Sequence, residues 1–332
     1  DDLVRMIPDL LDRFFEAENI EIGKKDVVAI TESVVARTQG NYVTIDQVAK
    51  DLNPDFAGKE LGVILPILSR NRFAIVLRAI ASADVEKVIL QLSLPSDEVG
   101  NHLITLDQLD NADINPWKET ISEAKYRELF GYQKHEFTGI DYVAYYKELV
   151  KECGKECEII FSNNPTAILA HTKYVINCDI HTRKRTKNLL LKNGAECVRS
   201  LDDIMNAPVD GSGYNEKYGL LGSNKSTEDQ IKLFPRECSP LVEAIQAEVK
   251  KRTGKTIEVM VYGDGAFKDP VGKIWELADP VVSPGYTSGL EGTPNELKLK
   301  YLADNDFKDL SGDELKEAIK EAIKSKSDNL VG

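Results

Sequence analysis

The chain has no excess of positive charge, no long apolar run, no repeat and no cysteine framework, and each absence removes a class of function. Asp and Glu outnumber Lys and Arg by 55 to 42, for a net charge of −13. That balance argues against a nucleic-acid backbone or an anionic membrane as the main partner, although a local basic cluster still suffices for a small anion. No apolar run approaches the roughly 20 residues needed to span a bilayer. The opening stretch, DDLVRMIPDLLDRFF, is acidic and amphipathic, unlike a signal peptide. It lacks an initiator Met and begins inside a helical pattern, so the expectation is that residues upstream have been trimmed. Five cysteines, Cys153, Cys157, Cys178, Cys197 and Cys238, are scattered and have no His or second Cys pair at zinc spacing. They read as reduced thiols, which places the protein in the cytoplasm.

What is present is an ordinary globular composition, 42% hydrophobic and 29% charged, over 332 residues, enough for about two domains. Short β-branched runs at 26–31 (DVVAIT), 62–68 (GVILPIL) and 85–92 (VEKVILQL) predict strands, with a helix over 73–81 between the last two. A polar stretch from 94 to 117 predicts loops. Residues 141–153 carry Val143, Tyr146, Leu149 and Val150 on one helical face. Strands are then expected at 158–162, 173–178 and 196–199, alternating with helices at 165–172 and 182–192. Such alternation predicts a mixed α/β (α+β) fold with a largely parallel sheet layer. The division drawn from the pattern is an N-terminal α/β domain, 1–150, and a second α/β domain, 151–332, holding a glycine-rich loop and a Gly-Asp-Gly motif. Ser239 and Pro240 mark a helix start that Gly254 ends, a strand follows at 256–262, and Ser311 with Glu314 caps a last helix burying Leu315, Ile319 and Ile323.

Four segments have the composition of chemical sites, and each admits a plainer reading. Residues 31–40 (TESVVARTQG) follow a strand with hydroxyls, an Arg and a Gly, as a phosphate seat would, or simply turn into a helix with Arg37 exposed. Residues 209–227 (VDGSGYNEKYGLLGSNKST) let backbone approach an anion that Lys225 would neutralise, or form a mobile surface loop. At 262–276 (YGDGAFKDPVGKIWE), Asp264 at a strand's carboxyl end suits a divalent cation, or belongs to an Asp-Gly turn. In CDIHTR (178–183), His181 is a ligand, a base or a hydrogen-bonded structural residue, and Asp179 or Thr182 caps the helix that follows.

Three of these stretches carry a family resemblance. Residues 26–42 (DVVAITESVVARTQGNY) resemble a segment of the coenzyme F-420 γ-glutamyl ligases. Arg37 stands where that family has Lys, Gln39 where it has Glu, and Ser33 at another Lys position; Gly40 matches. The strand ending Tyr262-Gly263-Asp264-Gly265 is similar to the family's strand ending in an Asp motif, and the RTGK turn (252–255) precedes it. The loop YGLLGSNKS (218–226) resembles the family's N-A-G-[IV]-D-x-S-N loop, with Ser223 and Asn224 matching. Longer runs, from PILSRNRFAI to GDGAFKDPVGKIWELADPVVSP, resemble a divergent bacterial branch of the same family. The departures are specific. The family's metal-binding Asp falls on Leu221, Gly265 replaces a hydroxyl residue, and the F-G-R-P-W-R continuation is missing. The chain opens at the tail of the family's GDDL segment and ends ahead of its late glycine-rich segment, which the resemblance reads as trimmed ends.

The resemblance implies a two-domain γ-glutamyl-ligase-like fold and a homodimer with its site near the subunit boundary. It implies a ligase that uses GTP and Mg2+ or Mn2+ to add L-glutamate to a carboxylate of an acidic, cofactor-like acceptor through an acyl phosphate. In that reading Asp264 holds the metal, with Asp210 replacing the Asp lost at Leu221. Asp264 and Lys225 serve catalysis; Thr31, Ser33, Arg37, Ser223 and Asn224 contact the nucleotide; Arg70 and Arg72 hold the acceptor on charge grounds. No nucleic acid or membrane is a partner. Two other readings are a non-catalytic nucleotide- or metabolite-binding protein and a ligase for another acceptor such as a folate.

Overall fold

The β-branched runs become strands and the capped amphipathic runs become helices. The computed structural model describes residues 2–23, 26–136, 138–263, 266–268, 275–277, 284–290 and 299–325. The chain divides into two compact units, Asp1–Tyr286 and Thr287–Gly332. The first opens with α1 (Leu3–Glu18), β1 (Val27–Thr31), α2 (Glu32–Thr38), β2 (Tyr42–Thr44) and α3 (Ile45–Phe56). Next come β3 (Glu60–Ile64), α4 (Phe73–Ala81), β4 (Lys87–Leu92), α5 (Leu106–Asn111), β5 (Ile121–Ser122), α6 (Glu123–Phe130) and α7 (Tyr142–Glu152). They are followed by β6 (Glu156–Phe161), β7 (Tyr174–Asn177), α8 (Arg183–Lys192), β8 (Cys197–Ser200), β9 (Asn224–Lys225), β10 (Gln230–Lys232), α9 (Cys238–Thr253) and β11 (Glu258–Tyr262).

Six strands form the main sheet in the order β5-β6-β4-β3-β7-β8. All are parallel except the edge strand β5, which runs antiparallel to β6. Both faces are covered, so the strands read as near-continuous apolar runs rather than alternating ones. Val63, Leu90, Ile159 and Phe161 face the large core with α3, α4, α6 and α7. Ile64, Ile89, Ile160 and Val175 face the other way, against Ile168 of a 3-10 helix (Pro165–Ala170) and Leu190 of α8. A second sheet pairs β1 parallel to β11, with Gly285–Tyr286 antiparallel on the far edge of β11. Leu3, Val242, Ile245 and Val249 of α1 and α9 pack on its Ile30, Val259 and Val261. A small sheet, β2-β10-β9, lies between these layers in chain order.

Strands from 60–92 and 156–200 therefore share one sheet, and a boundary at residue 150 runs through it. Two further differences have local causes. Helix α9 begins at Cys238 rather than after Ser239, because Gln39 clamps the backbone just upstream. Gln39 accepts from Arg236 N at 2.9 Å and donates to Arg236 O at 2.6 Å. The stretch 94–117 contains α5, started by a capping box between Thr105 and Gln108.

The second unit, taken by itself, holds a 3-10 turn (Ser288–Leu290), helical segments at Leu299–Tyr301 and Leu302–Asp306, and a helix at Gly312–Ser325. On that last helix Leu315 and Ile319 are half-buried and Ile323 is exposed. Among the described residues no helix is long and apolar enough to cross a membrane.

Candidate functional site

Strand β3 lies between β4 and β7, and the chain leaves it in one direction and returns on the other side. Such a reversal opens a crevice at the carboxyl ends of parallel strands, where α/β proteins bind ligands. A cavity of about 270 Å3 occupies this position. Ser69, Arg70, Asn71 and Arg72 line it from the turn after β3, and Asn101 from the loop after β4. Cys178 and Ile180 come from the end of β7, Tyr142 from the start of α7, and Gly222 and Ser223 from the glycine-rich loop. Phe73, Val76 and Leu220 supply an apolar wall. A largely apolar cleft with a few convergent polar groups is the usual form of a small-molecule site. Arg70 is exposed and makes no ion pair among the described residues.

The structure thus brings three of the sequence candidates, Arg70, Arg72 and Ser223, into one cavity. Asn224 and Lys225 follow Ser223 directly, and Lys225 N donates to Asn71 O at 2.8 Å, tying the glycine-rich loop to the arginine-bearing turn. The Lys225 ammonium itself is engaged by Glu228 at 2.5 Å.

A second group gathers at the carboxyl ends of β1 and β11. Thr31 caps α2, its Oγ1 accepting from Val34 N at 3.4 Å, and stands opposite Tyr262 in the parallel ladder. Ser33 is half-buried and Arg37 exposed on the helix that follows. Chain connectivity leads from Tyr262 into Gly263 and Asp264; Asp264 lies outside the described residues. Glu32, beside Thr31, pairs with Lys232 of β10 at 3.0 Å. Lys232 is opposite Asn224 in the antiparallel ladder, and such partners project to the same face. The 31–40 segment and Asn224 therefore meet through Lys232. The plainer reading of 31–40 holds: it is a strand turning into a capped helix with Arg37 exposed; the segment also adjoins the family-like loop.

Asp210 stands apart from both groups. It is an exposed turn residue with a φ of 47°, and its carboxylate pairs with Lys50 of α3 at 2.5 Å. Leu221, at the family's Asp position, is fully buried with Ile180 and Phe234, and its side chain has no atom to offer an ion. Among the described residues no group of three or more His, Cys, Asp or Glu is placed to hold a metal.

The glycine-rich loop packs inward over part of its length. Leu220 and Leu221 are buried, and two of its glycines are required by close approach to the chain itself. A Cβ on Gly213 would lie 2.6 Å from Tyr42 N, and one on Gly219 2.3 Å from Ile204 O.

His181 is hydrogen-bonded rather than free. Its Nδ1 lies 2.7 Å from Glu98 Oε2, and Glu98 also accepts from Ile180 N at 2.7 Å. Asp179 accepts from Thr182 N at 2.8 Å and from the hydroxyls of Thr182 and Thr186 at 2.6 and 2.5 Å, bracing the start of α8, whose N-cap position is Thr182. The residue that sequence reasoning missed is Asp97. It is buried in the turn after β4, and burial pushes its carboxyl up to about 6 against four donors that pull it down. The available signal was the cluster Ser-Asp-Glu-Val-Gly-Asn just after a strand, which marks a tight turn.

The model of the F420-0:Gamma-glutamyl ligase family matches residues 1–332. No curated protein and no solved structure matches the chain.

Proposed function

Because this chain belongs to the F420-0:Gamma-glutamyl ligase family, and is thereby an amide-bond-forming ligase acting on small molecules, we propose that it joins L-glutamate to a carboxylate of an anionic acceptor at the expense of GTP. A carboxylate is a poor acyl donor because its oxygen leaves as oxide. Transfer of the γ-phosphoryl group to that oxygen gives an acyl phosphate and GDP. The glutamate amine then attacks the acyl carbon, phosphate leaves, and the ammonium proton passes to solvent.

The observation that carries this reading is the placement of Arg70 and Arg72 on one turn in the crevice beside β3. Two guanidiniums there offset the charge of an acidic acceptor and orient its carboxylate. Ser223 and Asn101 add neutral polar groups, and Phe73 with Leu220 holds an apolar body. Thr31, Ser33, Arg37 and Asn224 are the residues we assign to the nucleotide side, supported by their meeting through Lys232. Mg2+ or Mn2+ completes the proposal on the strength of the family resemblance. The described residues alone do not supply a ligand set for it, so no step above is routed through the ion. We also propose a homodimer.

The test follows GDP release by the full chain with GTP, Mg2+, L-glutamate and F420-0. The expected result is release only when acceptor and glutamate are both present, abolished by a chelator and weakened in Asp264→Asn. GTP hydrolysis indifferent to glutamate, or none, overturns the reading. Sedimentation equilibrium giving a monomer at tens of micromolar overturns the dimer.

A further inference from the structure

Arg70 sits where the chain has no regular secondary structure, so side-chain bonds must fix it. Nearly every backbone amide around it is accounted for. Leu68 N donates to Asp97 Oδ2 at 2.8 Å and Ser69 N to the Tyr146 hydroxyl at 2.7 Å. Asn71 N and Arg72 N both donate to Ser69 Oγ, at 3.2 and 2.9 Å. The turn is held from below by α7 and from the side by the loop after β4.

Asp97 is the centre of this arrangement. It is 8% exposed, and its two oxygens accept from four donors: Leu68 N, Val99 N (3.0 Å), Asn101 N (2.9 Å) and Asn101 Nδ2 (2.7 Å). Only a carboxylate has the acceptor capacity for four donors; an amide offers one oxygen and turns a second donor toward them. One bond goes to the turn carrying Arg70. The other three go to the loop whose Asn101 also lines the cavity. Glu98 does the same for the third wall, accepting from Ile180 N and His181 N at the end of β7. Two adjacent carboxylates thus tie the loops after β4, β3 and β7 into one frame, and neither is among the cavity's lining residues.

We propose that Asp97 is a positioning residue of the acceptor site: without touching the acceptor, its buried carboxylate holds the Arg70 turn at a fixed distance from Asn101 and so sets acceptor affinity. The inference rests on the ligase reading above. A positioning group acts on binding geometry, so its loss is read in KM for the acceptor rather than in kcat.

The experiment compares the full-length protein with Asp97→Asn in two assays. In steady-state turnover with F420-0, GTP and glutamate, KM for F420-0 is expected to rise by about tenfold or more while kcat stays within about twofold. In hydrogen–deuterium exchange, amides of 65–72 and 97–104 are expected to exchange faster while those of 87–92 keep their protection. Tyr146→Phe removes the neighbouring tether and is expected to shift KM in the same direction, which keeps the test available should Asp97→Asn not fold. An unchanged KM, a loss confined to kcat, or faster exchange throughout the sheet overturns the proposal. If the unmodified protein turns over no F420-0 at all, the ligase reading fails. The exchange comparison then decides the proposal alone, local loosening supporting it and unchanged protection overturning it.

Discussion

Glu32 and Lys232 are 200 positions apart in sequence and 3.0 Å apart in the fold. Glu32 is 2% exposed and Lys232 11%, measured on the side chains. Their contact joins the first turn of α2 to the strand opposite Asn224. Removing one member of a buried pair leaves the other charge uncompensated, at about 3–5 kcal/mol. Lys232→Met is therefore expected to lower unfolding free energy by about that amount in urea titration, and Glu32→Gln/Lys232→Met by clearly less. A single variant as stable as the parent would show that water reaches the pair.

Arg70 is expected to behave oppositely, because its guanidinium is exposed and makes no ion pair among the described residues. Arg70→Ala should leave the melting temperature unchanged. A charge-assisted hydrogen bond is worth roughly 1.5–3 kcal/mol, so KM for an acidic acceptor should rise roughly tenfold to a hundredfold. Arg70→Lys is expected to recover only part, since an ammonium cannot form a bidentate contact. An unaltered KM with F420-0 would remove Arg70 from the acceptor site.

Asp97 gives a pH signature. Burial raises its carboxyl from 3.8 to about 6 in the folded chain. A folded value above the unfolded one means that this group's favourable contribution is complete below the unfolded value and is lost as pH rises through about 6. The full change is about 3 kcal/mol, from 1.36 kcal/mol for each pKa unit, and roughly 2.4 kcal/mol of it falls between pH 4 and 7. The parent is thus expected to lose stability relative to Asp97→Asn across that window. Urea titrations at pH 4, 5, 6 and 7 measure the difference, and a slope of the opposite sign sinks the assignment.

The thiols are expected to be unequal. Burial pushes Cys157 and Cys238 up to about 12 and Cys178 further still, and thiolate is the reactive form. Iodoacetamide at pH 8 is therefore expected to label Cys153 and Cys197, the two half-buried cysteines, ahead of the other three. Peptide mass mapping of the native protein reads the order, and fast labelling of Cys178 would contradict its burial at the cavity wall.

Local patterns led to the right elements where burial and capping agreed. The run 73–81 is helix α4 to the residue, and the expected strand at 26–31 is β1. The run 62–68 ends as a strand at Ile64 because Leu65, just before Pro66, turns left-handed with a φ of 52°. Helix α3 went unread although Thr44 and Gln47 form a capping box, a spacing visible in the sequence. Arg70, Arg72 and Ser223 line one cavity, a convergence that sequence did not show, since charge set the arginines on the acceptor and the motif set Ser223 on the nucleotide. The pairing of Asp210 with Lys50 was not legible, because it depends on a turn meeting α3 across 160 residues of chain. Nor was the Asp97 frame, since a carboxylate followed by Gly and Asn reads equally well as a surface turn. Asp264 lies outside the described residues.

The pairing of β1 with β11 sets a clock on synthesis. Val28 and Ile30 are made well before their strand's only partner among the described residues, 258–262, roughly 230 residues later. At about 5–20 residues per second, the wait is roughly ten to fifty seconds. The main sheet waits less, since β3 and β4 are joined through one helix and its last strand, β8, ends at Ser200. Its core therefore condenses while the first strand is still an unpaired edge. The layer carrying Thr31 and Arg37 is the last part of the first unit to close.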